Sequence, residues 1–318
     1  MSAVSSPAIS EVRRLSVLDG ALGPALGAAL ADPAVAEILV NADGSVWIDR
    51  LSTGLTPTGV QLSANDREAA IRLMAHAAGI TVGPDQPRLS ASLPGSAARV
   101  QAMLPPVVAG PVFAIRKRPD RIHTLDDYVA EGSATPEQVR TLRQALEGRR
   151  NIIVAGGAGS GKTTLLNALL AEACMRQSRL IVIEDTEELQ VTGANTVQML
   201  TKLTSPEVTL RDLVQDALRL RPDRIIVGEV RSGAALDVLK AWNTGHPGGL
   251  LTLHANSAQD ACLRLEDLCL EAQVASPRRL IASAVDLIVF IARTASGRRI
   301  TELLDLKTTT HPTKGDLE

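Results

Sequence analysis

Gly156-Gly157-Ala158-Gly159-Ser160-Gly161-Lys162-Thr163-Thr164 is the stretch on which the reading of this chain turns. An apolar run, Asn151-Ile152-Ile153-Val154-Ala155, precedes it, and a helix-forming run from Leu165 to Ala173 follows. Strand, glycine loop, helix is the order that the phosphate-binding pattern G-x-x-x-x-G-K-[ST] requires. Glycines let backbone N–H groups turn inward against phosphate oxygens where a side chain would clash. The helix start adds the positive end of its dipole. On this reading Lys162 reaches the β- and γ-phosphates and the Thr163 hydroxyl holds Mg²⁺, with the loop backbone from Gly156 to Thr164 around the phosphates. An ordinary glycine-rich turn is the alternative, and the filled motif with both flanks in place argues against it. The chain is expected to bind a nucleoside triphosphate.

Outward from the loop, strand-like and helix-like runs alternate. Helices are expected over Pro136 to Glu147, Thr209 to Leu220, Ala234 to Trp242 and Ser257 to Leu270, the last opened by a Ser-x-x-Asp start at Ser257 and Asp260. Strands are expected over Arg179 to Glu184, Arg224 to Gly228 and Leu250 to His254, with a terminal hairpin from Leu287 to Ala292 and Arg299 to Leu306. Continuous apolar strands between helices predict a mainly parallel sheet buried on both faces, an α/β fold.

Hydrolysis needs an acid at the metal and a group that orients water. Arg224-Ile225-Ile226-Val227-Gly228-Glu229 is an apolar strand ending in a carboxylate, where ligands gather in open α/β sheets. Glu229 is the candidate for polarising water or joining the metal shell, possible through a water. The cluster Glu184-Asp185-Thr186-Glu187-Glu188 also follows a strand; Glu184, nearest the strand end, is the candidate contact, while Glu187 and Glu188 are expected to face solvent. His246 in a Gly-rich turn and His254 at a strand end are candidate sensors of the γ-phosphate.

Upstream, a helix from about Glu11 to Leu30 bends at Gly20, Gly23 and Pro24. Glu37 to Asn41 and Ser45 to Asp49 read as a hairpin across Ala42-Asp43-Gly44, Ser63 opens a helix from Ala64 to Ala78, and Arg99 to Met103 and Val112 to Arg116 read as strands. The expected organisation is a flexible start over 1–11, a small α+β domain over 12–118, a linker over 119–135 and the phosphate-loop domain over 136–318.

Across 318 residues, 33 Lys and Arg against 35 Asp and Glu give a formal charge of −2, without the basic excess of a nucleic-acid surface. Two Phe, two Trp and one Tyr leave little for stacking bases, so no specific nucleic-acid binding is expected and a helicase is disfavoured. The three cysteines, Cys174, Cys262 and Cys269, form no C-x-x-C knuckle and suit a reducing compartment. No stretch has the length of a membrane span, so any membrane contact is expected to be peripheral.

Four motifs in this order, GGAGSGKTT, IEDTEEL, RIIVGEVR and TGHPGGLLTLHANSA, resemble the secretion ATPase superfamily of type II secretion, type IV secretion and type IV pili. The resemblance covers motif-bearing segments from about residue 90 to 295. It implies a RecA-like ATPase domain behind a PAS-like α+β domain, ATP and Mg²⁺ as ligands, and a homo-oligomer, a ring of six. It places Glu184 and Asp185 at the nucleotide, Glu229 in the catalytic role, and His246 and His254 in a histidine box. It also makes Arg99 and Arg116 the arginines that act on the phosphates, reaching them only if the two domains close over the nucleotide. The short chain and the TGHPGG stretch most resemble conjugal transfer members of the type IV branch. That implies a cytoplasmic protein peripherally bound at the inner membrane, partnered by other secretion proteins. The competing readings are a nucleotide-gated assembly scaffold with little turnover and a pilus-assembly ATPase of the tight-adherence type. One departure stands out: relatives carry an acid shortly after Gly-Glu-x-Arg, whereas Arg231-Ser232-Gly233-Ala234-Ala235 has none, which implies slow basal turnover.

Overall fold

Ile152–Gly156, buried along its whole length, is an inner strand of a seven-stranded sheet in a computed structural model of the chain. The structure describes residues 23, 24, 26–50, 53–93, 98–118, 121–202, 206–272, 277–295 and 297–309. The expected flexible start and most of the expected first helix lie outside them. The chain divides into two compact units, residues 1–121 and 122–318.

In the first unit the strands are β1 (Val35–Val40), β2 (Ser45–Arg50), β3 (Gly54–Gln61), β4 (Arg88–Ser92), β5 (Arg99–Met103) and β6 (Val112–Arg116). They form one antiparallel sheet in the order β3-β2-β1-β6-β5-β4. Alternate residues Ile38, Ile48, Val100 and Ile115 are buried with Ile71 and Met74 of α1 (Ala64–Ala77). Ser63 caps α1 by accepting the Asp66 N–H. The β1–β2 turn needs glycine at Gly44, where φ is +92° and a Cβ would stand 2.4 Å from the Leu62 carbonyl oxygen. β3 and β4 are additional to the sequence expectation. β3 carries Pro57 and Gly59 and is mostly exposed, so it has the chemistry of an edge strand and no apolar alternation to announce it.

The second unit opens with α2 (Leu125–Ala130) and α3 (Pro136–Glu147). β7 (Ile152–Gly156), α4 (Lys162–Leu170), β8 (Leu180–Glu184), β9 (Thr196–Leu200), α5 (Leu210–Ala217) and β10 (Arg224–Val227) follow. The unit continues through α6 (Ala235–Asn243), β11 (Leu250–His254), α7 (Ala258–Leu270), α8 (Arg278–Ala284), β12 (Leu287–Thr294) and β13 (Gly297–Asp305). The sheet order is β13-β12-β7-β11-β10-β8-β9, parallel throughout except for the β12–β13 hairpin. One face packs on α2, α3 and α4, the other on α5 to α8, which is why β7, β8 and β10 read as unbroken apolar runs. The segment expected as a linker carries α2, whose Leu125 and Tyr128 are buried in this core. Thr124 and Asp127 close a capping box at its start.

At the edge where the parallel strands begin, Asn151 accepts the N–H groups of Gly248 and Gly249 and donates to the Ala284 carbonyl. Gly249 has no alternative there, since a Cβ would lie 2.0 Å from Trp242 Nε1. The glycine loop, Glu184, Glu229 and His254 gather at the other edge, where β7, β8, β10 and β11 end.

Candidate active site

β7 ends at Gly156, and the chain turns through Gly159 (φ +66°) and Gly161 (φ +101°) into α4. A Cβ on Gly156 would lie 2.4 Å from the Ile291 carbonyl oxygen and 2.5 Å from Ser160 Oγ, so only glycine fits. Gly161 offers no side-chain cap to α4, and the positive end of the helix faces the loop, where an anion is favoured. Lys162, 8% exposed, donates from Nζ to the carbonyls of Gly156 (3.1 Å) and Gly157 (3.0 Å). Its ammonium also faces His254 Nδ1 at 3.2 Å.

His254 ends β11 opposite Gly156. Its Nε2 lies 2.7 Å from Glu229 Oε1, and Arg231 Nε donates to Glu229 Oε2 at 2.6 Å. One imidazole thus joins the loop lysine to the candidate catalytic carboxylate. Burial and the neighbouring Lys162 hold His254 below the ordinary histidine pKa, with Glu229 opposing and Arg231 adding to the fall. A neutral ring can accept from the Lys162 ammonium at Nδ1 while Nε2 stays beside Glu229, whose Oε1 is buried without an aligned donor.

The acidic cluster divides differently from its expected roles. Glu184 is 3% exposed and its Oε1 accepts the N–H groups of Glu188 and Leu189, each at 2.9 Å. Its methylenes occupy the space beside Gly228, where a Cβ would lie 2.9 Å from Glu184 Cγ. That clamp fixes the loop presenting Glu188, and Glu188 Oε2 accepts the Thr163 hydroxyl at 3.3 Å. Asp185 is exposed and accepts the Thr201 hydroxyl at 3.0 Å. The structure therefore brings Glu188, expected in solvent, to the Thr163 hydroxyl expected to hold Mg²⁺, and turns Glu184 onto the backbone N–H groups of the following loop.

His246 is not brought to the loop. β11 runs parallel to β7, with Leu250 opposite Ile152 and His254 opposite Gly156, so a residue before Leu250 lies at the opposite sheet edge. A five-residue strand separates its ends by about 3.3 Å per residue. The two histidines look alike in sequence because both flank the same strand, and it is the strand that holds them apart.

Arg99 and Arg116 belong to the first unit, directly opposite each other on β5 and β6, and Arg116 also stands opposite Glu37 of β1. Burial pushes the Glu37 carboxyl above its usual range, and Arg116 partly restores it.

The glycine cradle, the N-terminus of α4 and a hydroxyl–carboxylate pair at Thr163 and Glu188 suit a polyphosphate with Mg²⁺. Mg²⁺ takes oxygen ligands and keeps several waters, so it needs few protein groups. Sequence reasoning missed Glu188, and also Arg298, whose Nε donates to the Gly159 carbonyl at 3.1 Å. Glu188 carried a signal in its spacing from Glu184; Arg298 carried none, because only the hairpin brings it to the loop.

Residues 65–312 match the family model described as Type II/IV secretion system protein. The chain is similar to a probable conjugal transfer protein TrbB of Sinorhizobium fredii (strain NBRC 101917 / NGR234). The two are 45% identical over 300 residues, covering 94% of this chain and 91% of the relative. The crystal structure of the VirB11 ATPase from the Brucella suis type IV secretion system in complex with sulphate is 30% identical, with a TM-score of 0.50 over 94% of this chain and 97% of that one. The X-ray structure of the Legionella pneumophila ATPase DotB has a TM-score of 0.62 over 87% and 78% of the two chains, at 18% identity, a likeness of fold alone.

Proposed function

Because the chain belongs to the type II/IV secretion system protein family, we propose that it is an ATPase energising a type IV secretion or conjugative transfer apparatus. It works as a homo-oligomer, a ring of six, and drives pilus assembly and substrate transfer. It sits in the cytoplasm, held peripherally at the inner membrane by other secretion proteins; among the described residues no helix is long and apolar enough to cross a membrane.

The observation that carries the reading is the chain of contacts from Lys162 through His254 to Glu229 at the mouth of the glycine cradle. ATP entering the cradle draws Lys162 from the loop carbonyls to the β- and γ-phosphates. Glu229, fixed by Arg231 and His254, orients the attacking water and takes its proton. His254, neutral in this setting, registers the lysine's departure and passes it to Glu229. Thr163 and Glu188 would hold Mg²⁺, which when bound neutralises charge on the β- and γ-oxygens.

Multiple-turnover phosphate release tests the proposal. Lys162→Ala should abolish hydrolysis while leaving the fold intact. Glu229→Gln should keep ATP binding and slow turnover at least ~100-fold, the range for a lost general base. Fewer phosphates released than subunits present by the unsubstituted protein would sink the motor and leave the scaffold.

A further inference from the structure

The β12–β13 hairpin outruns the sheet. β12 pairs with β7 only as far as Phe290 opposite Ala155, then continues to Thr294 before the chain turns back at Gly297 (φ +110°). Its tip stands beside the phosphate loop. The Ile291 carbonyl closes on Gly156, and Cδ of Arg298 would be 3.0 Å from a Cβ on Gly161. Arg298 Nε donates to the carbonyl of Gly159.

Arg293 stands directly opposite Arg298 in the hairpin register. Directly opposed residues share a face, and side chains alternate along a strand, so both arginines project on the side of Ile291 and Ile300. Those isoleucines pack in the layer of α2, α3 and α4, the helix that begins at the phosphate loop. Like charges directly opposed destabilise a strand pair, and both arginines are exposed. The stretch from Ile291 to Ile300 holds Arg293, Arg298 and Arg299 and no Asp or Glu, so the hairpin itself supplies no acid between them. An anion between the two guanidinium groups would relieve the repulsion. Each guanidinium has five donors in a fork that fits phosphate, and of these Arg298 gives one to Gly159.

We infer that Arg293 and Arg298 form a second cationic wall of the nucleotide site, on the β12 side, for the phosphate oxygens that nucleoside di- and triphosphates share. The inference rests on reading the Gly156–Thr164 loop as the phosphate site. The side of the loop decides which phosphates. His254 ends β11 and Glu229 follows β10, both across β7 from the hairpin, and the γ-phosphate belongs with the carboxylate that activates the attacking water. Arg298 touches the loop at Gly159 and the head of α4 at Gly161, away from that acid. The wall therefore serves binding of ADP and ATP alike.

Equilibrium binding of fluorescent ADP and of a non-hydrolysable ATP analogue, beside steady-state kinetics, tests this on Arg293→Ala, Arg298→Ala, Arg298→Lys and Lys162→Ala. Arg293→Ala is the cleaner variant, since Arg298 also holds the loop. Each alanine variant should weaken both nucleotides by the same factor, about tenfold for a lost charged hydrogen bond. KM should rise in step while kcat at saturation falls far less. Arg298→Lys, which keeps charge but loses the fork, should lie between. Unchanged ADP affinity in both alanine variants, or a loss confined to ATP or to kcat, overturns the wall. If Lys162→Ala still abolishes ADP binding in that case, the phosphate site stands without it. Failure of the unsubstituted protein to bind either nucleotide overturns both readings. Thermal melts without nucleotide show whether a variant has failed to fold.

Discussion

At the scale of single residues, the site works by giving neighbouring carboxylates unlike surroundings. Glu184 is buried against backbone N–H groups, Glu229 is held by Arg231 and His254, and Glu188 accepts from Thr163. The last contact makes Glu188 the acid closest to the hydroxyl proposed to hold Mg²⁺. Glu188→Ala should raise the Mg²⁺ concentration needed for half-maximal hydrolysis while leaving metal-free ADP binding in place, as a Mg²⁺ titration of phosphate release would show. An unaltered Mg²⁺ requirement would return that role to Thr163 alone. A carboxylate in the first unit gives a pH-dependent case. Glu37 is half-buried and its pKa lies above the ordinary value of about 4.3, chiefly because of burial, with Arg116 opposing and Asp49 reinforcing. The native state therefore binds more protons than the unfolded one between the ordinary pKa and the raised one. Stability conferred below that window is lost as pH rises through it, and the deficit persists at neutral pH. Glu37→Gln should accordingly raise the urea midpoint, relative to the unsubstituted protein, more at pH 7 than at pH 4. The same difference at both pH values would mean that the charge on Glu37 carries no such cost.

At the scale of elements, caps and apolar runs were legible in the sequence, and of the sheet edges only β13, the second strand of the terminal hairpin, was. The α3, β5, β6 and β11 spans coincide with the runs Pro136–Glu147, Arg99–Met103, Val112–Arg116 and Leu250–His254, each with clear periodicity or a continuous apolar core. Thr209 and Asp212 form a capping box at the start of α5, and Ser257 caps α7 at the Ser-x-x-Asp start expected there. What escaped is β3, β4 and β9 at the sheet edges, and α2 and α8, short helices with few buried positions of their own. Edge strands bury little, so their sequences lack the alternation that marks a half-buried strand. The site follows the same division. The phosphate loop, Glu229 and His254 sit where one motif fixes the position, whereas Glu188 and Arg298 depend on how a loop and a hairpin fold back. One cap connects both sides of this division. Thr135 accepts the Gln138 N–H, Gln138 returns an acceptor to the Thr135 N–H, and its amide also donates to the Ile300 carbonyl on β13. Thr135→Ala should cost about 1 kcal/mol of stability by urea unfolding, the usual worth of an N-cap. Gln138→Ala should in addition quicken amide exchange along β13, where a change confined to α3 would show that the tie to the hairpin carries nothing.

At the scale of the whole molecule, two arginine pairs carry the same geometry in different units. Arg293 and Arg298 oppose each other on the β12–β13 hairpin of the second unit, and Arg99 and Arg116 oppose each other on β5 and β6 of the first. Direct opposition of like charges is unfavourable in both places, although Glu37 stands on the far side of Arg116 and lessens it there. The pairs are distinguished by what they should answer to. The hairpin pair shares a unit with the phosphate loop and is assigned to phosphates common to ADP and ATP. The family resemblance assigns Arg99 and Arg116 of the first unit a different answer, to the phosphate ADP lacks, and that expectation is open to test. Such a group neutralises charge on the transferred phosphoryl and is worth roughly 10³-fold or more in turnover. An arginine acting in that way would couple its own position to the presence of the γ-phosphate, the kind of link by which hydrolysis drives conformational change. Arg99→Ala and Arg116→Ala should therefore depress ATPase rate far more than ADP affinity, the inverse of the pattern expected for Arg293→Ala. Equal losses of ADP and ATP affinity would make the first-unit arginines structural. Unchanged rates in both variants would leave the ATPase a property of the second unit alone, with no arginine route by which the first could feel the γ-phosphate leave.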